Sequence, residues 1–187
     1  MILELHNITI DSRIGNLSLW ADGGRLVTVG GAKGSGKSTL LRAVMGLLPV
    51  DGGHISIDGE LLTPLSAPFF RRQMAYVPQQ LTLIEGYDGI CDVSQLLFSL
   101  KVNKGAPAFR LPHDNRRFDE LTADERYLLL LNNAIQLGRP MLIADEPPEP
   151  LTQDGAAAVA DLLLSASKRG VAVLAVHSPI TENHIQL

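Results

Sequence analysis

Gly31-Ala32-Lys33-Gly34-Ser35-Gly36-Lys37-Ser38-Thr39 is the stretch on which the reading of this chain turns. It follows the apolar run Leu26-Val27-Thr28-Val29 and leads into Leu40-Leu41-Arg42-Ala43-Val44-Met45. A glycine, four residues, then Gly36-Lys37-Ser38 is the spacing of a phosphate-binding loop set between a strand and a helix. Glycines let backbone N–H groups close around a triphosphate and accept the positive φ angles that this demands. The helix beginning near Lys37 aims its unpaired N–H groups and the positive end of its dipole at the same point. On this reading Lys37 reaches the β and γ phosphates and the Ser38 hydroxyl ligates Mg²⁺. A Gly/Ser-rich turn before a helix is the bland alternative, and the flanking strand and helix both count against it.

At 187 residues the chain can bury a real core and is most simply one domain. Its residues are 45% hydrophobic and 19% charged, with a formal net charge of -4. That is ordinary globular composition, and it offers no basic excess with which to hold nucleic acid. The longest apolar runs, such as residues 128–131 and 171–176, are far shorter than the roughly 20 residues that span a bilayer. Residues 1–6 carry no charged-then-apolar leader and already alternate like a strand. The single cysteine, Cys91, forms no internal disulfide and fits a reducing cytosol, where it reads as inert filler.

Two alternating segments, 3–10 and 16–20, are joined by Asp11-Ser12-Arg13-Ile14-Gly15 and predict a small antiparallel sheet. The helix after the phosphate loop is expected to run to Leu48, before Pro49 and the Asp51-Gly52-Gly53 turn. Residues 54–57 form a further strand, with His54 an exposed strand histidine alternating with isoleucines. After a loop around 63–68, residues 73–77 read as a buried strand ended by Pro78, with Gln79 just beyond it. Residues 92–100 have helical apolar spacing, and the Pro-, Gly- and Arg-rich 101–119 reads as a surface loop. Thr122-Ala123-Asp124-Glu125 fits a capping box opening a helix to about Leu137. The strand Met141-Leu142-Ile143-Ala144 ends in Asp145-Glu146, residues 155–169 form an Ala/Leu-rich helix, and the strand 171–176 ends at His177. Helices alternating with fully apolar strands indicate a parallel α/β sheet with its ligand at the strand C-termini.

Two carboxylates at the end of a buried strand are costly unless something occupies them. A metal-bound phosphate chain would occupy them. Asp145 is placed to hold Mg²⁺, and Glu146 to polarise the water that attacks the γ-phosphate. The candidate metal ligands are therefore Ser38, Gln79 and Asp145, and the candidate catalytic set is Glu146, His177 and Gln79.

In this order the motifs resemble those of the nucleotide-binding subunit of an ABC (ATP-binding cassette) transporter, over nearly the whole chain. Residues 31–39 resemble the Walker A loop, Tyr76-Val77-Pro78-Gln79 the Q-loop, residues 141–146 the Walker B strand with its catalytic glutamate, and Ala175-Val176-His177 the switch histidine. The resemblance implies an α/β P-loop NTPase with a RecA-like parallel sheet, an N-terminal antiparallel β subdomain and a short helical subdomain, roughly residues 80–139, within one domain covering residues 1–187. It further implies ATP and Mg²⁺ as ligands and a second ATP-binding subunit and a transmembrane permease as partners. Peripheral placement on the cytoplasmic face of the membrane follows from the same resemblance.

Departures from the family pattern fall mainly on parts that act on a partner's nucleotide. The Leu-Ser-Gly-Gly-Gln signature is replaced by Leu121-Thr122-Ala123-Asp124-Glu125. There Asp124 and Glu125 are expected to face a polyanion, and like charges about 4 Å apart cost roughly 4 kcal/mol at an effective dielectric near 20. The family's D-loop resembles Pro148-Glu149-Pro150-Leu151-Thr152, with Thr152 at the usual aspartate. The loop 11–14 lacks the aromatic residue that stacks on adenine in the family, leaving the Arg13 guanidinium as the planar group there. Three activities stand beside one another on the sequence: an ATP-hydrolysing transporter subunit, an ATP-binding structural or sensing subunit with little turnover, and a small-molecule kinase using Arg110, Arg116 and Arg117 as a lid. The Q-loop and switch histidine have no role in the last.

Overall fold

A computed structural model describes residues 1–79, 120–147, 150–176 and 184–187. The segment 92–100, the loop 101–119 with its three arginines, Cys91, Pro148, Glu149 and His177 lie outside the described residues.

Two sheets build the fold. The strands β1 (Leu3–Ile10), β2 (Ile14–Ala21), β4 (Gly52–Ile57) and β5 (Glu60–Leu61) form an antiparallel sheet in the order β2-β1-β4-β5. The strands β6 (Met74–Val77), β7 (Met141–Ala144), β8 (Ala172–Val176), β3 (Leu26–Gly30) and β9 (His184–Gln186) form a parallel sheet in the order β6-β7-β8-β3-β9. Strands β3, β7 and β8 are buried at every residue, as strands covered on both faces must be. Their period of two sorts the two faces: Val27, Val29, Ile143, Leu174 and Val176 join one core, and Leu26, Leu142, Ala144, Val173 and Ala175 the other. The first core packs against α1 (Lys37–Val44) and the antiparallel sheet, the second against α3 (Ala123–Gln136) and α4 (Gln153–Lys168).

The antiparallel sheet, the buried strands and the capping box agree with the sequence reading. Thr122 Oγ1 accepts from Glu125 N at 3.2 Å while the Glu125 carboxylate accepts from Thr122 N at 2.9 Å. His54 is exposed on β4, stacked on His6. Three features differ. Helix α1 stops at Val44 and not at Leu48, because Gly46 turns to φ 65° and Leu47 N and Gly46 N bond back to Arg42 O and Ala43 O. A Cβ at Gly46 would lie 2.5 Å from that of Ala67, so this glycine also admits the close approach of α2 (Ala67–Arg71), which occupies part of the expected 63–68 loop. The third is β9, which pairs with β3 beside the phosphate loop.

Candidate functional site

All strands of the parallel sheet run the same way, so β3, β6 and β7 deliver Gly31, Gln79 and Asp145 to a single edge. A cleft opens there, lined by Gly30, Gly31, Ala32, Lys33, Lys37 and Gln79 on one side and by Tyr127 and Glu146 on another.

Within the loop, positive φ at Gly31 (150°), Gly34 (89°) and Gly36 (104°) turns the backbone around the space that the phosphates need. Gly36 is the N-cap of α1 and provides no side-chain cap, so the first N–H groups of the helix stay available. Lys37 is only 7% exposed, and its ammonium donates to Gly31 O at 2.7 Å and Ala32 O at 3.0 Å. Lys33 and Gly34 are exposed, and the Ser35 hydroxyl is buried with no hydrogen-bond partner. An orphaned hydroxyl inside a cradle of N–H groups fits an oxygen-rich anion. Thr39 follows on α1, half-buried.

Beside the loop, the Ser38 hydroxyl donates to Asp145 Oδ1 at 3.4 Å. Asp145 is 3% exposed, and its other oxygen accepts from the Tyr76 hydroxyl at 3.4 Å. A serine hydroxyl and one carboxylate make the sparse oxygen set with which Mg²⁺ binds together with substrate phosphates. Glu146 follows directly, its N–H donating to Asp145 Oδ1 at 2.9 Å, and its residue borders the cleft. The structure thus gathers Gly31, Ala32, Lys33, Lys37, Gln79 and Glu146 at one cleft, with Ser38 and Asp145, the chain neighbours of Lys37 and Glu146, bonded to each other.

Burial lifts both nearby tyrosines above the usual phenol range, with the Asp145 charge adding to it: Tyr76 is pushed up to about 12, and Tyr127 further. The Tyr76 bond to Asp145 works in the same direction.

Four contributors were not legible as site residues. The Tyr127 hydroxyl donates to the Asp145 carbonyl oxygen at 2.5 Å, although in the sequence it is one residue of an apolar helix. A buried phenol needs a partner, and that requirement was the available signal. Tyr76 sits in the Q-loop stretch, where it had no assigned role. His184 and Gln186 reach the cleft from β9, with His184 Nδ1 bonded to Thr28 Oγ1 at 3.0 Å. A Cβ on Gly30 would lie 2.5 Å from His184 Cε1, so this glycine makes room for the strand. Arg13 and Ile14 pack beside Gly36, and the Arg13 guanidinium pairs with Asp11 at 3.4 Å on the surface.

Asp124 and Glu125 have partners in their own chain. Besides the Glu125 capping bond, Asp124 accepts from Thr152 N at 3.0 Å and from the Thr152 hydroxyl. Thr152 in turn caps α4 by accepting from Gly155 N at 3.1 Å.

Known proteins match both this sequence and this arrangement. The family model described as ABC transporter matches residues 14–149. A zinc import ATP-binding protein from Cereibacter sphaeroides is 30% identical over 94% of this chain and 72% of its own length. A type I secretion system ATP-binding protein from Rhizobium meliloti is also 30% identical, over 83% of this chain, which spans only 29% of that relative's length. Among solved structures, an ATP-binding subunit of an ABC transporter superposes with a TM-score of 0.75 at 21% identity, covering 100% of this chain and 86% of the other. A dimeric ATP-binding cassette in a post-hydrolysis state with ADP and Pi gives 0.71 at 20% identity, over 99% and 94%. The chain belongs to the ABC transporter family, as a nucleotide-binding cassette of α/β P-loop architecture.

Proposed function

We propose that this chain is an ATP-hydrolysing subunit that couples ATP to a membrane-embedded permease at the cytoplasmic face, within an assembly containing a second ATP-binding subunit. The observation that carries the reading is the bond between the Ser38 hydroxyl and the buried Asp145, each the chain neighbour of a residue that lines the cleft, Lys37 and Glu146. Residues 31–39 would cradle the triphosphate, and Ser38, Asp145 and Gln79 would hold Mg²⁺. The ion, when bound, supplies positive charge to the phosphate oxygens. Glu146 would orient and polarise the attacking water, with Gln79 and His177 completing its surroundings. The whole chain would act as one domain with a helical subdomain between roughly residues 80 and 139.

Support for a protein partner comes from the stretch of chain between α1 and β6. There Leu47, Leu61, Leu65 and Phe69 stand exposed on the elements leading to Gln79. Exposed apolar side chains concentrated in one stretch fit an interaction face. No helix among the described residues is long and apolar enough to cross a membrane, so the spanning part is assigned to the partner.

Steady-state ATP turnover across a wide protein concentration range, with Glu146→Gln as control, tests this. Turnover that rises with concentration and disappears in the control supports hydrolysis by a self-associating chain. The cis bonding of Asp124 favours a second reading, an ATP-binding subunit with little turnover of its own. Tight ATP binding without phosphate release would select it, and turnover indifferent to Glu146 would defeat both assignments of that residue.

A further inference from the structure

We propose that the first two turns of α3 grip the Glu146 loop at both its ends, making Tyr127 and Asp124 positioning residues for Glu146. The inference rests on the assignment of Glu146 above; it adds Tyr127, which lies outside the motifs, and gives Asp124 of the altered signature a role within its own chain.

The loop leaves β7 at Asp145 and enters α4 at Thr152. At its start the Tyr127 hydroxyl donates to the Asp145 carbonyl oxygen at 2.5 Å, from a side chain only 3% exposed. At its end Asp124 accepts two bonds from Thr152, one from the backbone N–H at 3.0 Å and one from the hydroxyl. Asp124 and Tyr127 are three residues apart on one helix, so they share a face and move as a rigid pair. Gly155 leaves the space for this: a side chain there would fall within the Asp124 carboxylate. Inside the loop, Glu146 N donates to Asp145 Oδ1 at 2.9 Å, which ties the Glu146 peptide to the anchored end.

The phosphate loop is held separately. Its root, Gly30, pairs with Gln186 in β9, and Leu187 N donates to Gly30 O at 3.0 Å. A shift of α3 would therefore reach Glu146 directly and the nucleotide cradle only through the weak 3.4 Å contact between Ser38 and Asp145. The same helix opens at the altered signature, so whatever contacts residues 121–125 acts on Glu146 through these two side chains.

Two substitutions in the full-length chain test the grip: Tyr127→Phe, which removes only a hydroxyl, and Asp124→Ala. Hydrogen exchange without nucleotide should accelerate in peptides spanning 142–152 and stay unchanged across 31–39. Affinity for Mg²⁺ with the non-hydrolysable analogue AMP-PNP should stay within about twofold, while single-turnover ATP hydrolysis falls by about tenfold, since small misplacements of a catalytic group cost that much or more. Adding Tyr127→Phe to Glu146→Gln should then produce no further loss. Unchanged exchange in 142–152, or analogue affinity falling in step with turnover, overturns the proposal. A wild-type chain without turnover, or one indifferent to Glu146→Gln, removes the assignment of Glu146, and the exchange result still decides the grip.

Discussion

The Ser38 hydroxyl and Asp145 Oδ1 stand 3.4 Å apart, joining the first turn of α1 to the end of β7. At that separation the bond is weak, so little would be lost if both groups turned to hold Mg²⁺ instead. Ser38→Ala and Asp145→Asn are therefore expected to weaken nucleotide binding only when Mg²⁺ is present. A loss of about tenfold corresponds to about 1.4 kcal/mol. Titration with a fluorescent ATP analogue, in Mg²⁺ and in EDTA, checks this. An equal loss in both conditions would assign the pair to folding and not to the metal.

Gly155 offers a change of sign. In the first turn of a helix, Gly→Ala ordinarily stabilises by roughly 0.5–1 kcal/mol. Here the new methyl would displace the Asp124 carboxylate from Thr152, exposing charge-assisted bonds to loss. Gly155→Ala should destabilise the chain by about 1 kcal/mol or more. In an Asp124→Ala background the same substitution should stabilise it. Urea denaturation of the four proteins of this cycle measures both signs, and stabilisation in both backgrounds would remove the Asp124 contact from the energetics.

Local chemistry made much of this fold readable before any coordinates. Alternation in β1, the wholly apolar β7 and β8, and the Thr122–Glu125 capping box each carry their own signal within a few residues. The loop from Gly31 to Ser38 was legible for the same reason, its spacing being dictated by backbone geometry. What stayed hidden depends on distant partners. β9 is three residues long and exists by pairing with β3, some 156 residues away at Thr28 and His184. At the end of α1 Gly46 turns to φ 65° where a Cβ would meet Ala67, and Asp124 bonds to Thr152 at the start of another helix. No periodicity in residues 121–125 could reveal that intrachain bond.

The Lys37 ammonium is held by its own loop, donating to Gly31 O at 2.7 Å and Ala32 O at 3.0 Å. Those bonds place the ammonium against the loop that carries it, so little side-chain entropy remains to be lost on binding. Lys37→Met should cut ATP affinity by about 100-fold, near 2.7 kcal/mol. Affinity for AMP, which lacks the β and γ phosphates, should change little. Calorimetry with both nucleotides separates the outcomes: equal losses would mean that the loop itself had collapsed.

The two tyrosines set an alkaline limit on stability. Both phenols are raised above the ordinary value of 10, chiefly by burial and then by Asp145, Tyr76 to about 12 and Tyr127 further. Above pH 10 the unfolded chain therefore loses phenol protons that the folded chain retains, and stability must fall as pH rises. The contribution is complete below pH 10 and is lost for Tyr76 as pH climbs toward about 12, with the Tyr127 loss extending beyond. Removing either hydroxyl removes that proton linkage. Tyr127→Phe, measured without nucleotide or metal, should lower stability at pH 7 by about 1 kcal/mol through the lost bond to Asp145 O. Its stability should then decline less steeply than wild type between pH 10 and 12, and Tyr76→Phe should flatten the same limb. Parallel wild-type and Tyr127→Phe profiles across that window would mean that the Tyr127 hydroxyl is in contact with water.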